Sequence, residues 1–156
     1  PKTPRILQNN MSLGLGCDGA SRPNLSLFAE MKHLLYGTMA FWGIPIFDPD
    51  IICAKDLLKM VTVGGARALQ HEAELGTIEE GKKADLITIN LMQPHLTPTH
   101  NLLNTLVDCA AEHDVTDSVI NGKIVMRDRN VLTMNEEEII KECSKRMKQI
   151  AERSGI

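Results

Sequence analysis

MSLGLGCDGAS, residues 11–21, runs an apolar, glycine-punctuated stretch straight into an aspartate and a Gly/Ser loop. A strand ending in an acidic residue, then such a loop, then a helix, is how a β/α unit presents a carboxylate at the carboxyl edge of a sheet. That edge is where α/β enzymes keep their chemistry. The reading therefore makes residues 11–16 a strand and Asp18 its terminal acid. One carboxylate is not an active site, and a strand with no partner strand nearby is not stable alone. The sequence opens at Pro1, without an initiator Met, a few residues before this strand. The expectation is the back portion of a larger enzyme.

Composition narrows the class. The chain has 156 residues, enough for one core or a core and an appendage. Hydrophobic residues at 43% and charged ones at 24% are ordinary for a globular chain. A net charge of −3, with Lys and Arg dispersed among acids, gives no concentrated basic face for nucleic acid. No apolar run approaches the roughly 20 residues of a membrane span, and no signal peptide opens the chain. Cys17, Cys53, Cys109 and Cys143 form no CxxC pair, so scattered buried thiols in a reducing cytoplasm are expected. With aromatic residues at 3% and eight methionines, the core must be aliphatic and Met-rich.

Working outward, residues 4–10 read as the tail of a helix stopped at Asn9-Asn10. Asn24 is placed to cap a helix running to about Trp42, with Leu27, Met31, Leu34, Leu35, Met39 and Trp42 on one apolar face. Gly43-Ile44-Pro45 ends it. A second helix covers about 54–61, Gly64-Gly65 interrupts, and 66–69 makes a helical turn. Turn signals at 75–76 and 80–83 precede a strand at 85–91; Lys82-Lys83 after Glu79-Glu80 reads as a solvated turn. Residues 101–111 are weakly helical. Residues 116–120 and 123–126 flank Asn121-Gly122, a hairpin signal, because both central positions of a type I′ turn need positive φ. A turn at 127–130 follows, and Asn135, with Glu138 three residues on, starts a final helix striped by Ile139, Cys143, Met147 and Ile150.

The chemistry-bearing motifs are few. Gly14, Gly16 and Gly19 fit GxGxxG on paper. Asp18 inside that loop would repel a pyrophosphate, and no acidic residue ends a second strand about 20 residues on, so dinucleotide binding is set aside. His33, His71, His95, His100 and His113 form neither HxH nor HExxH. His95 and His100 flank Pro98 and could approach a cleft, but their spacing fixes no metal geometry. No Cys-His set appears, so Cys17 beside Asp18 is read as a poor nucleophile. Asp18 itself is either a turn residue, for which Asp-Gly is well suited, or a metal ligand or general base at a strand end.

These pieces, in this order, resemble the metal-dependent amidohydrolases. GLGCDGAS at 14–21 looks like their eighth-strand segment, with Cys17 where Thr is common. TVGGARAL at 62–69 resembles the helix that follows the barrel. LGTIEEGKKADLITINL at 75–91 is the most specific match, to the return into the small β domain; PHLTP at 94–98 and DSVINGKIV at 117–125 complete it. Residues 24–31 are similar to the methylthioadenosine/S-adenosylhomocysteine deaminase and chlorohydrolase branch.

The resemblance implies an α/β fold. Residues 1–70 would be the remnant of a (β/α)8 barrel, 71–134 part of a small β-sandwich domain with a helical insertion at about 98–112, and 135–156 a C-terminal amphipathic helix. It implies one divalent metal, zinc or iron, in the full-length protein, with Asp18 as ligand and general base and the histidine ligands absent from this sequence. Ser21 and Asn24 would lie beside the substrate, a nucleoside or other N-heterocycle. It further implies a cytoplasmic homo-oligomer that binds neither nucleic acid nor membrane. The activity expected is hydrolytic deamination, with loss of chloride the alternative leaving-group chemistry and a non-catalytic β module the alternative class. The chain alone is expected to be inactive.

Overall fold

The computed structural model describes residues 3–9, 11–19 and 25–155. It is helical first and sheet-bearing later. Helix α1 (Thr3–Gln8) ends where the Asn9 side chain donates to the Arg5 carbonyl at 2.6 Å. Helix α2 (Leu27–Thr38) widens into a π-helical turn (Met39–Gly43) and closes through α3 (Ile44–Ile46) on Phe47, at φ 55°. The expected stop at Gly43 is therefore passed. The helix continues to Ile46, because Pro45 sits in the first turn of α3, where no amide donor is needed. Helices α4 (Ala54–Val61) and α5 (Val63–Ala68) follow, and Gly64-Gly65 lies inside α5 rather than breaking the chain.

The core lies between these helices. Met31 of α2, Ile52, Ala54, Leu57 and Met60 around α4, and Val107 are buried together. Leu7, Leu13, Leu15, Phe28, Leu34 and Leu35 pack against them. The apolar face expected on α2 is thus half used: Leu27 is 40% and Trp42 44% exposed.

Residues 11–19 form no strand. A strand is made by its neighbours' hydrogen bonds, and among the described residues this segment bonds to helices instead, from the Met11 amide to the Ile6 carbonyl at 3.3 Å and from the Leu15 amide to the Met60 carbonyl at 3.1 Å.

The sheet is a four-stranded antiparallel meander in the order β1-β2-β3-β4: β1 (Leu86–Ile89), β2 (Val115–Ile120), β3 (Lys123–Arg127) and β4 (Asn130–Val131). Asn121 and Gly122 take φ of 50° and 77°, as the type I′ reading requires. Asp128 and Arg129 repeat this geometry at 47° and 67°. Between β1 and β2 come α6 (Leu102–Asn104), a π turn (Thr105–Cys109) and a 3-10 turn (Glu112–Asp114). Helix α7 (Glu136–Ser154) starts on the Asn135 side chain, which accepts from the Glu138 amide at 3.2 Å. None of its residues is buried; Met147 and Ile150 are 65% and 62% exposed.

The Lys82-Lys83 turn is not merely solvated. Lys82 Nζ donates to the Glu72 carbonyl at 2.9 Å and to Thr77 Oγ1 at 2.6 Å, and Lys83 pairs with Glu74. The turn is thereby tied to the segment that follows α5.

Candidate functional site

Asp18 owes its position to glycine. Residues 13–15 lie across the α4–α5 corner. A Cβ on Gly64 would come within 2.5 Å of the Leu13 carbonyl oxygen and 2.8 Å of the Lys59 carbonyl oxygen, and one on Gly14 would meet the Gly65 Cα at 3.0 Å. Backbone meets backbone here, and only hydrogen fits. The Leu15–Met60 hydrogen bond locks the contact, and the half-buried Leu13 and Leu15 seal it. Three residues on, Asp18 is exposed, and its Oδ1 accepts from the Gly19 amide at 2.7 Å. A carboxylate held by an anchored segment and open to solvent suits a ligand or a base.

The far end of the acidic loop is fixed independently. Ser26, 3% exposed, caps α2: its Oγ accepts from the Ala29 amide at 3.3 Å and donates to Glu112 Oε2 at 2.8 Å. Lys32 Nζ donates to the Ala110 carbonyl at 2.9 Å. Arg129 in turn donates to the Glu112 and Val115 carbonyls, each at 3.0 Å. The cap expected at Asn24 is thus supplied by Ser26; Asn24 and Ser21, the two substrate-side candidates, lie outside the described residues.

The sequence reading missed a second cluster. His95 Nε2 lies 3.0 Å from Asp114 Oδ2, His113 Nε2 lies 3.8 Å from Asp114 Oδ1, and the two imidazole rings are 5.5 Å apart. The Asp114 side chain is 1% exposed and also accepts from the Ala111 amide at 2.9 Å. Burial pushes its carboxyl upward. The His95 hydrogen bond, the Ala111 amide and the two imidazoles outweigh burial and hold it below the ordinary range. His113-Asp114 adjacency was the only signal in the sequence; His95, far off along the chain, arrives through the fold. His33 is exposed on α2.

A catalytic zinc takes about three protein ligands. Asp18 joins no group of three His, Cys, Asp or Glu donors among the described residues, where His95, His113 and Asp114 form such a group. At Asp18 the described residues thus place a single carboxylate and no complete centre. The cysteines are free thiols as expected, but not buried: Cys17 is half-buried and Cys53, Cys109 and Cys143 are exposed. Cys143, for one, rides on α7, which buries nothing. Among the described residues no helix is long and apolar enough to cross a membrane.

The sequence profile of the amidohydrolase family matches residues 1–125. The chain is 41% identical over 150 residues to a 5-methylthioadenosine/S-adenosylhomocysteine deaminase of Syntrophus aciditrophicus, covering 96% of this chain and 32% of that protein. It is 40% identical over 138 residues to the deaminase of the same name from Syntrophobacter fumaroxidans, covering 88% and 31%. A zinc-bound adenosine deaminase from Xanthomonas campestris superposes with a TM-score of 0.87 at 30% identity, covering 95% of this chain and 33% of its own. The zinc-complexed atrazine chlorohydrolase of Arthrobacter aurescens shares the fold, with a TM-score of 0.78 at 22% identity over 92% of this chain and 31% of its own. The chain therefore spans about a third of the length of the curated relatives it matches. Its structural neighbours are amidohydrolase barrels. On the profile match and these relatives, the chain belongs to the amidohydrolase family.

Proposed function

We propose that this chain supplies the acid-bearing segment and the small β domain of a metal-dependent hydrolase that deaminates an adenosine-type nucleoside. One observation carries the reading. Asp18, the residue matching the family's eighth-strand aspartate, sits exposed at the end of a segment locked by Gly64 and the Leu15–Met60 bond. In that role Asp18 takes a proton from the water that attacks the amine-bearing ring carbon. It returns the proton to the departing amine, which leaves as ammonia. When bound, a divalent metal, zinc or iron, supplies acidification of that water. Asp18 would be one of its ligands, the others coming from outside the described residues. Ser21 and Asn24 would face the substrate.

Relatives near 40% identity bear the deaminase name, whereas the chlorohydrolase likeness at 22% speaks for the fold alone. Ammonia is accordingly the leaving group of choice over chloride. Residues 1–70 are assigned to the barrel, 71–134 to the β domain, read as part of a sandwich, and 135–156 to a terminal helix. A cytoplasmic homo-oligomer fits the free thiols and the exposed Phe41 and Phe47, at 80% and 92%. The test is ammonia release by the full-length, metal-loaded protein across adenosine, methylthioadenosine and S-adenosylhomocysteine. Release from at least one supports the reading. Release from none of them, or chloride release from a chlorinated triazine instead, overturns it.

A further inference from the structure

We propose that His95, His113 and Asp114 form a binding site for a zinc-type divalent cation on the β domain, one that does not include Asp18. One ligand atom from each residue lies within 4.8 Å of the others. Zinc bound at ~2.0–2.1 Å in tetrahedral geometry sets neighbouring ligand atoms about 3.3 Å apart. Each imidazole already stands near that distance from one Asp114 oxygen, His95 Nε2 at 3.0 Å from Oδ2 and His113 Nε2 at 3.8 Å from Oδ1. Two imidazoles and a carboxylate are a donor set that zinc, nickel and copper accept.

The framework is already rigid. Leu96, 2% exposed, plugs the loop that carries His95, and its amide donates to the Gln93 carbonyl at 3.0 Å. The Ala111 amide holds Asp114 Oδ2, which is the outer-partner support that orients a ligating carboxylate. Oδ1 is left facing His113. The rings stand on the open side, His95 at 41% and His113 at 63% exposure, so an ion and its remaining waters have access. Ligation through each Nε2 leaves the ring proton on Nδ1, and the His95–Asp114 hydrogen bond is exchanged for two bonds to the ion.

A purely structural role explains His95 and Asp114 as a hydrogen-bonded pair. It gives no reason for His113, which approaches the same carboxylate from outside hydrogen-bonding distance.

Zn2+ alone is titrated into this chain, with calorimetry for stoichiometry and imidazole NMR resonances for location. The expected result is one equivalent bound, with the His95 and His113 resonances moving together. His113→Ala, at an exposed position that leaves the fold intact by circular dichroism, should weaken binding about tenfold or more, the scale on which even outer partners of metal ligands matter. His95→Gln should do the same. The site is overturned if no stoichiometric binding occurs, if both imidazoles stay unmoved, or if His113→Ala binds as tightly as the unaltered chain. That last outcome would put the ion on Asp18 or on a thiol.

Discussion

Ser26 Oγ and Glu112 Oε2 meet at 2.8 Å across 86 positions of sequence, and the same oxygen of Ser26 caps α2. One hydroxyl thus ends the acidic loop, starts a helix and joins that helix to the turn ahead of β2. Ser26→Ala removes the cap and the tie together. The loss should be about 1–2 kcal/mol, the upper part of the range for N-caps, read as a fall in the urea midpoint at constant slope. Glu112→Gln keeps an acceptor oxygen and should cost less.

Glycine at 64 is a steric requirement. Gly64→Ala drives a methyl into backbone oxygens on both sides and should destabilise by ~1–3 kcal/mol, as overpacking does. It should also release the Leu15 amide to hydrogen exchange. Gly16→Ala is the control: nothing lies within 4 Å of its added methyl, so stability should hold within about 0.5 kcal/mol.

The β2–β3 turn carries its own demand. Asn121 is non-glycine at φ 50°, where a β-branched side chain is poorly tolerated. Asn121→Val should cost ~1–2 kcal/mol, the left-handed penalty for an L-residue. Asn121→Gly should cost little, and comparison of the two by thermal unfolding isolates the conformational term.

Asp117 gives the pH response of the sheet. Thr88 Oγ1 donates to its Oδ2 at 2.5 Å, Thr116 Oγ1 at 2.8 Å, and the Asp128 amide reaches Oδ1 at 3.2 Å. These bonds, Thr88's first, hold the carboxyl below its ordinary 3.8. A depressed folded value means that the unfolded chain binds the proton first. The stabilisation is therefore complete above about pH 4 and is lost as pH falls through the lower folded value. Acid unfolding of Asp117→Asn should show a shallower pH dependence below 4 than the unaltered chain.

Local chemistry was legible where the chain acts locally. Asn121-Gly122 demanded its turn, Asn135 announced α7, and 54–61 folds as the helix its spacing describes. Patterns that depend on distant partners were not. Residues 11–16 read as a strand ahead of an acid, but the hydrogen bonds of a strand belong to its neighbours, and here the segment rests on α4 and α5 instead. The apolar positions Leu27 and Trp42 are exposed although their spacing places them on the apolar face. At the site, Asp18 was legible as an acid before a glycine. Ser26 at the cap and the His95–Asp114 pair were not, because each depends on a partner brought from another part of the chain.

The central claim is that Asp18 carries the proton in hydrolytic deamination, and the most direct test is the turnover of Asp18→Asn in the full-length, metal-loaded enzyme. The amide keeps the shape of the side chain but cannot accept the proton. Turnover of the responsive adenosine derivative should fall by about a hundredfold or more, with metal content and melting temperature preserved, while this chain alone should release no ammonia. Retention of more than about a tenth of the original rate would contradict a general-base role for Asp18.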